Sequence, residues 1–279
     1  MIQGRLAKPG HHLVLAKVRE GELGYWQVFK LAVADPQGEA QGLAHCLREP
    51  SPNATWKCLD LSPSFNGDIR AIYKQKYLSP RPKTVAVSIG VDGYSPWTFP
   101  LWNMKPPEIE LGNIPKLLDA EGRILTPQHV PFTRFARERN VAFTSLWDNW
   151  PRSVTIPVNQ KSEAVWLLLA GTTNPMQTRI ANAELRFRYA DGVVEQMPLV
   201  PPENFWTLCP LGKRDYDYER DAFALPKIPP LTVQLGEKCR AILLSWKLRP
   251  HVELADITLE TLSQEVVIGV MGVSLMEPQ

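Results

Sequence analysis

The sequence predicts an all-β protein. Its second half reads as an antiparallel, jelly-roll-like β-sandwich, preceded by a smaller, irregular β-rich part. Three observations carry this. The 279 residues include 26 prolines, nearly twice the usual share of about 5%, and an interior proline removes a helix donor and clashes with the preceding turn. No segment of the second half keeps a helical apolar period for longer than about ten residues. That half is instead a succession of short apolar or alternating runs separated by turn signals, the pattern of a sandwich. Without crossover helices there, a parallel βαβ fold is not expected.

A chain of this length holds about two domains at roughly 100–200 residues each. The division falls at residues 1–135, with a Pro-rich arm, and 136–279, the sandwich. In the first part, strands are expected at 12–18, 24–34 and 84–91, where Val85, Val87, Ile89 and Val91 share one face. Residues 68–78 suit a short helix or a strand. Seven prolines between Ser95 and Pro131 mark an extended loop that covers the sheet.

The second part is cleaner. Residues 153–158 and 164–170 are strands, and the unbroken run Trp166, Leu167, Leu168, Leu169 is the pattern of a strand buried on both faces. In 183–190, Ala183, Leu185, Phe187 and Tyr189 alternate with Glu184, Arg186 and Arg188. That alternation predicts a half-buried strand with a charged outer face. Asp191-Gly192 then turns the chain into 193–199 as a hairpin. Strands follow at 232–235, 240–248, 257–262 and 265–275.

Composition excludes several functions. Lys and Arg number 31 against 29 Asp and Glu, for a net charge of +2, so no basic footprint for nucleic acid exists. The longest apolar runs, 164–171 and 266–276, fall short of the roughly 18–20 residues that span a bilayer. They read as buried strands, so no membrane partner is expected. The N-terminal residues carry no apolar core of a secretory signal, which leaves the location undetermined. Cys46, Cys58, Cys209 and Cys239 form no C-x-x-C pair. Two disulfides, in any of three pairings, are open to them, and the reading favoured is four reduced, mostly buried thiols. The five histidines share no ligand spacing, and the nucleotide, P-loop, zincin and nucleophile-elbow motifs are absent. Neither a cofactor nor a metal is expected, and no catalytic residue can be assigned.

Three loop segments carry chemistry. SLWDNWP (145–151) places Trp147, Asp148, Asn149 and Trp150 before a strand. PPENFWTLCP (201–210) places Asn204, Phe205 and Trp206 after one. KRDYDYERDAF (213–223) gathers Asp215, Tyr216, Asp217, Tyr218, Glu219 and Asp221 with Lys213, Arg214 and Arg220. Sugar recognition uses such a mixture, because aromatic faces stack on the C–H faces of pyranose rings. Carboxylates, amides and guanidinium groups then hydrogen-bond the hydroxyls. Each segment also has a plainer structural role: tryptophans at strand ends cap cores, and acidic runs form solvated ion pairs. The alternating acids of 215–221 suit calcium chemically, yet no EF-hand glycine or bidentate Glu accompanies them. Asp217 and Glu219 stand too close in sequence to flank a glycosidic bond as acid and base. In 172–192, Asn174, Gln177, Arg179 and Asn182 precede the charged strand, where amides would satisfy loop backbone groups.

In order, WDNWP, SVTIPV, WLLLAGTTNPMQTRIANAELRFRYADG, LVPPENFW and RDYDYERDAF resemble the C-terminal β-sandwich region of large bacterial six-hairpin glycosidase-like proteins. The resemblance covers about residues 141–275, and more faintly GYSPWTF at 93–99. It implies a sandwich found beside an (α/α) toroid in polysaccharide processing. This chain has no toroid-sized helical segment, so no catalytic residue of a toroid carries over.

The resulting expectation is a carbohydrate-binding or accessory sandwich of bacterial polysaccharide processing. Trp147, Trp150 and Trp206 would stack on an oligo- or polysaccharide, and Asp148, Asn149, Arg179, Asp215, Tyr216 and Asp217 would contact its hydroxyls. A homo-oligomer or a catalytic domain would be its protein partner. The alternatives are a small glycoside hydrolase or polysaccharide lyase working through a carboxylate or Tyr216, and a structural or assembly module.

Overall fold

The computed structural model of the protein describes residues 47, 49–51, 53–74, 108–146, 150–173, 180–209, 230–263 and 266–277. The strands expected at 12–18, 24–34 and 84–91 lie outside them. Twelve strands are described: β1 Trp56–Cys58, β2 Ile124–Leu125, β3 Pro131–Phe132, β4 Ala142–Ser145, β5 Ser153–Gln160, β6 Ala164–Thr172, β7 Ala183–Tyr189, β8 Val194–Leu199, β9 Leu231–Gln234, β10 Arg240–Lys247, β11 Leu254–Thr261 and β12 Val267–Met276. Among the described residues, helical turns are confined to the 3-10 segments Ile69–Lys74 and Ile114–Leu117. The all-β class is therefore correct.

The large sheet has the order β1-β12-β6-β10-β9, with β4 also paired to β12; the smaller has the order β5-β11-β7-β8. All pairings are antiparallel. From β4 onward the chain crosses between β4-β12-β6-β10 and β5-β11-β7-β8, staying in one sheet only at the β7–β8 and β9–β10 hairpins, the wrapping of a double Greek-key jelly roll. The strands β1 and β4 share one edge of β12: β4 pairs with Val267–Val270 and β1 with Ser274–Met276. Residues 56–58 thus belong to the large sheet, on the far side of the division expected at 135.

Two cores result, one on each face of the large sheet. Between the sheets, Leu167, Leu169, Leu185, Phe187, Ile242, Leu244, Ile257, Leu259 and Val273 interdigitate. The rings of Phe187 and Trp246 stack there at 5.3 Å and 9°. On the outer face of the large sheet, Trp166, Leu168, Leu243 and Met271 pack against Ile69, Ile72, Ile124, Val130, Phe132 and Phe143. Residues 69–72 and 124–132 of the first part therefore cover the outer face of the large sheet. Of the stretch 95–131 expected as an extended loop, residues 95–107 lie outside the described residues, and the remainder includes a 3-10 turn at Ile114–Leu117 and the strand Ile124–Leu125. Every residue of β6 is buried, as its unbroken apolar run predicts.

The close cover depends on two glycines of β12. A Cβ on Gly272 would sit 2.7 Å from the Phe132 ring, and one on Gly269 would sit 2.3 Å from Val141 Cγ2. A Met271 bulge between Val270 and Gly272 breaks the register there and turns both Met271 and Gly272 toward the cover.

The hairpin expected through Asp191-Gly192 is present. Gly192 has φ +88, the left-handed conformation that glycine adopts without steric cost. Leu185 and Phe187 are fully buried, and Glu184, Arg186 and Arg188 face outward. Arg186 lies between Glu184 and Glu260, Arg188 pairs with Asp256, and Arg152 reaches Glu260 at 2.8 Å. The edge strands of this sheet, β5 and β8, carry Pro157 and Pro198, and a proline offers no amide for a further strand to pair with.

The end of the sandwich formed by the β5–β6, β7–β8 and β10–β11 turns is closed by an inward-facing carboxylate. Glu195 Oε2 accepts hydrogen bonds from Tyr189 Oη and Trp246 Nε1, both at 2.8 Å. The Arg249 guanidinium lies 5.1 Å over the Tyr189 ring and donates to Asp191 at 2.7 Å. Burial, followed by the hydrogen bond and negative charge of Glu195, pushes the Tyr189 phenol well above its ordinary value of 10.0. Unfolded chains release this proton near pH 10 while the native state holds it. The stabilisation is complete below that pH and is lost as pH rises further, by at most about 1.4 kcal/mol per pH unit. Denaturant melts between pH 9 and 11 are expected to fall more steeply for the parent than for Tyr189→Phe; equal slopes would refute the linkage.

One expectation is corrected. Cys209 and Cys239 are joined as a disulfide, with Cα atoms 4.6 Å apart and a sequence separation of 30. The β9–β10 turn folds back beside the end of the 200–209 segment, where the Arg240 amide donates to Leu208 O at 2.8 Å. Only this tertiary return brings the two sulfurs together. Cys58 is a free, half-buried thiol that donates to Pro131 O at 3.3 Å, and burial raises its pKa; Cys46 lies outside the described residues. For a loop of this length, Cys239→Ser is expected to cost about 2–4 kcal/mol. Chemical denaturation of the variant checks this, and an unchanged midpoint would show that the bridge adds nothing.

Candidate functional site: the loop-bearing end of the sandwich

The jelly-roll wrapping sends the β4–β5, β6–β7 and β11–β12 connections, and the start of the β8–β9 connection, to one end of the sandwich. These are residues 146–152, 173–182, 262–266 and 200–209, and they include or adjoin every loop that the residue chemistry singled out. Backbone hydrogen bonds join their stems. The Ser145 amide donates to Pro151 O at 3.1 Å, Thr261 to Arg152 O at 3.0 Å and Leu208 to Gly171 O at 2.7 Å. The Asn182 amide donates to Leu199 O at 2.8 Å, and the Leu262 amide donates to Asn182 O at 2.9 Å.

Beneath the loops lies a buried polar layer. Eight of the fourteen buried polar or charged residues described are Thr144, Ser145, Thr172, Thr173, Asn182, Asn204, Thr207 and Thr261, all at this end. A buried hydroxyl or amide is costly unless it is hydrogen-bonded, and these are. Thr144 Oγ1 donates to Ile268 O at 3.1 Å and so accepts from Thr261 Oγ1 at 2.7 Å. Thr173 Oγ1 donates to Asn182 Oδ1, and Asn182 Nδ2 donates to Ile180 O at 3.2 Å. Thr207 Oγ1 donates to Thr172 Oγ1 at 3.4 Å. Asn204 closes the turn after β8, taking the Val200 amide at 2.8 Å and donating to Pro198 O at 2.9 Å.

The layer is neutral throughout, so it can hold loops in register but supplies no acid–base pair. Among the described residues no three His, Cys, Asp or Glu side chains gather as a metal site, and no helix is long and apolar enough to cross a membrane. Above the layer, Ile180 is 50% exposed and Leu262 is 40% exposed.

The expected site residues divide sharply. Trp147, Asp148, Asn149, Arg179, Asp215, Tyr216 and Asp217 lie outside the described residues. Trp206 is corrected: it is 3% exposed and belongs to the core between the sheets, so neither face of its ring is open to a sugar. Trp150 is half-buried, its ring 4.7 Å from that of Phe143, and part of it packs against the outer core. For these two tryptophans the capping role of a strand-end aromatic accounts for the packing. Asn182 does satisfy a loop carbonyl, as expected of an amide in that segment. Its longer reach, to β8 and to the β11–β12 connection, has no local signal in the sequence.

The class these features define is a two-sheet antiparallel sandwich with a hydroxyl- and amide-lined, loop-bearing end. No protein-family model matches the chain, and a search of curated proteins finds no match either.

Proposed function

We infer that the protein binds an oligo- or polysaccharide, or supports a carbohydrate-active partner, through the loop-bearing end of the sandwich. One observation carries the reading. The connections that hold the aromatic, acidic and amide residues leave from a single end, over a buried layer of satisfied hydroxyls and amides. Loops on a rigid scaffold are where binding residues concentrate, and sugar hydroxyls need fixed donors and acceptors beside apolar faces. The resemblance of 141–275 to sandwich regions of glycosidase-like proteins points the same way.

Exposed Ile180 and Leu262 favour a second reading, an assembly module whose apolar contacts at this end meet another protein. A glycan array combined with reducing-sugar and unsaturated-product assays separates the alternatives. Binding without turnover is the expected result. Turnover would make the protein a hydrolase or lyase, and neither binding nor turnover would leave the assembly role.

A further inference from the structure

We propose that Asn182 is a positioning residue that holds three of the four connections at the loop-bearing end in one register. The inference rests on the reading that this end is the ligand-facing one, although its first test does not. Asn182 is fully buried. Its amide donates to Leu199 O, the last residue of β8, at 2.8 Å. Its carbonyl accepts the amides of Leu262 and Ser263 at 2.9 and 3.1 Å, and Ser263 Oγ donates to the neighbouring Ala181 O at 3.0 Å. Its side chain takes the Thr173 hydroxyl and donates to Ile180 O at 3.2 Å.

The backbone bonds would form with any residue at this position. The side chain is what fixes Asn182 against Thr173 at the other end of its own loop. Without it, the Thr173 hydroxyl loses an acceptor in a buried place, and Asn182 is free to shift away from it. The β11–β12 connection, hung on the Asn182 carbonyl, shifts with it. The backbone at both Ile180 and Leu262 is thus tied to this one residue.

Amide hydrogen exchange on the full chain tests this. Asn182→Ala and Thr173→Val are each expected to speed exchange at Leu262 and Ser263 by about tenfold or more through local opening. Ala190 and Leu248, whose amides donate to Glu253 O and Glu163 O at the opposite end, are expected to keep their rates. Thr173→Ser, which keeps the hydroxyl, should exchange as the parent does. Exchange that rises equally at both ends, or nowhere, overturns the proposal. Should Asn182→Ala fail to fold, Thr173→Val decides alone.

The second measurement is affinity on the same glycan array. Asn182→Ala is expected to lose about tenfold or more for the glycans the parent binds. Leu168→Ala, which weakens the outer core away from these loops, should retain them. Equal losses in both variants would reduce Asn182 to general stability and sink the proposal. A parent that binds no glycan defeats the carbohydrate reading alone, and the exchange rates still decide the positioning role.

Discussion

Trp206→Ala is expected to lower the unfolding free energy by about 3–5 kcal/mol, the cost of emptying a tryptophan-sized space in a packed core. The ring sits between the sheets beside the start of the β8–β9 connection, with Phe205 and Leu208 fully buried on either side of the Trp206–Thr207 pair. Large cavities of this kind collapse only in part, because strands locked into two sheets cannot close over them. The measurement is a denaturant melt of the variant against the parent, with glycan affinity taken on the same samples below the transition. Loss of stability with affinity retained in the folded fraction is the expected pair of results. A change below about 0.5 kcal/mol, within the range of ordinary surface substitutions, together with lost affinity, would restore a stacking role for this ring.

Glu195→Ala should cost about 2–6 kcal/mol, because it removes the shared acceptor of two buried donors at about 1–3 kcal/mol each. The Tyr189 hydroxyl and the Trp246 indole N–H both end on Glu195 Oε2. Tyr189 is fully buried and Trp246 is 3% exposed, so neither donor has easy access to water. Glu195→Gln keeps a carbonyl acceptor in place and loses only the charge-assisted part of the two bonds, about 1 kcal/mol. The ratio of the two effects is the informative quantity. Equal costs for Ala and Gln would mean that the negative charge, rather than the acceptor, holds this end closed.

Much of the second half was legible in the sequence because its signals are local. The alternation in 183–189 identifies which side chains are wet, since side-chain direction reverses at every residue of a strand. Asp191-Gly192 marks the hairpin because glycine enters the left-handed region at no steric cost. The run 166–169 announces a strand covered on both faces. Pro157 and Pro198 become markers of the smaller sheet's edges only once the strand order is known, since a proline is tolerated where no further strand needs its amide.

What only the tertiary structure decided concerns pairs of residues far apart in the chain. Cys209 and Cys239 read as thiols until the β9–β10 turn returns one to the other. Trp206 has the composition of a binding residue and the position of a core residue, and no local pattern separates the two, because an aromatic ring serves either purpose. Asn182, Thr144 and Thr261 look like ordinary loop and strand polars. They become a connected layer only when the double Greek-key wrapping brings the ends of β4, β6, β7, β8 and β11 together. Local sequence thus determined the class, the strands from β5 to β12 and the wet face of β7, through backbone geometry that repeats every two residues, whereas the short strands β1 to β4 carry too few residues to show such a period. The cover on the large sheet, the disulfide and the polar layer depended on which strands lie side by side, a property of the whole chain's packing.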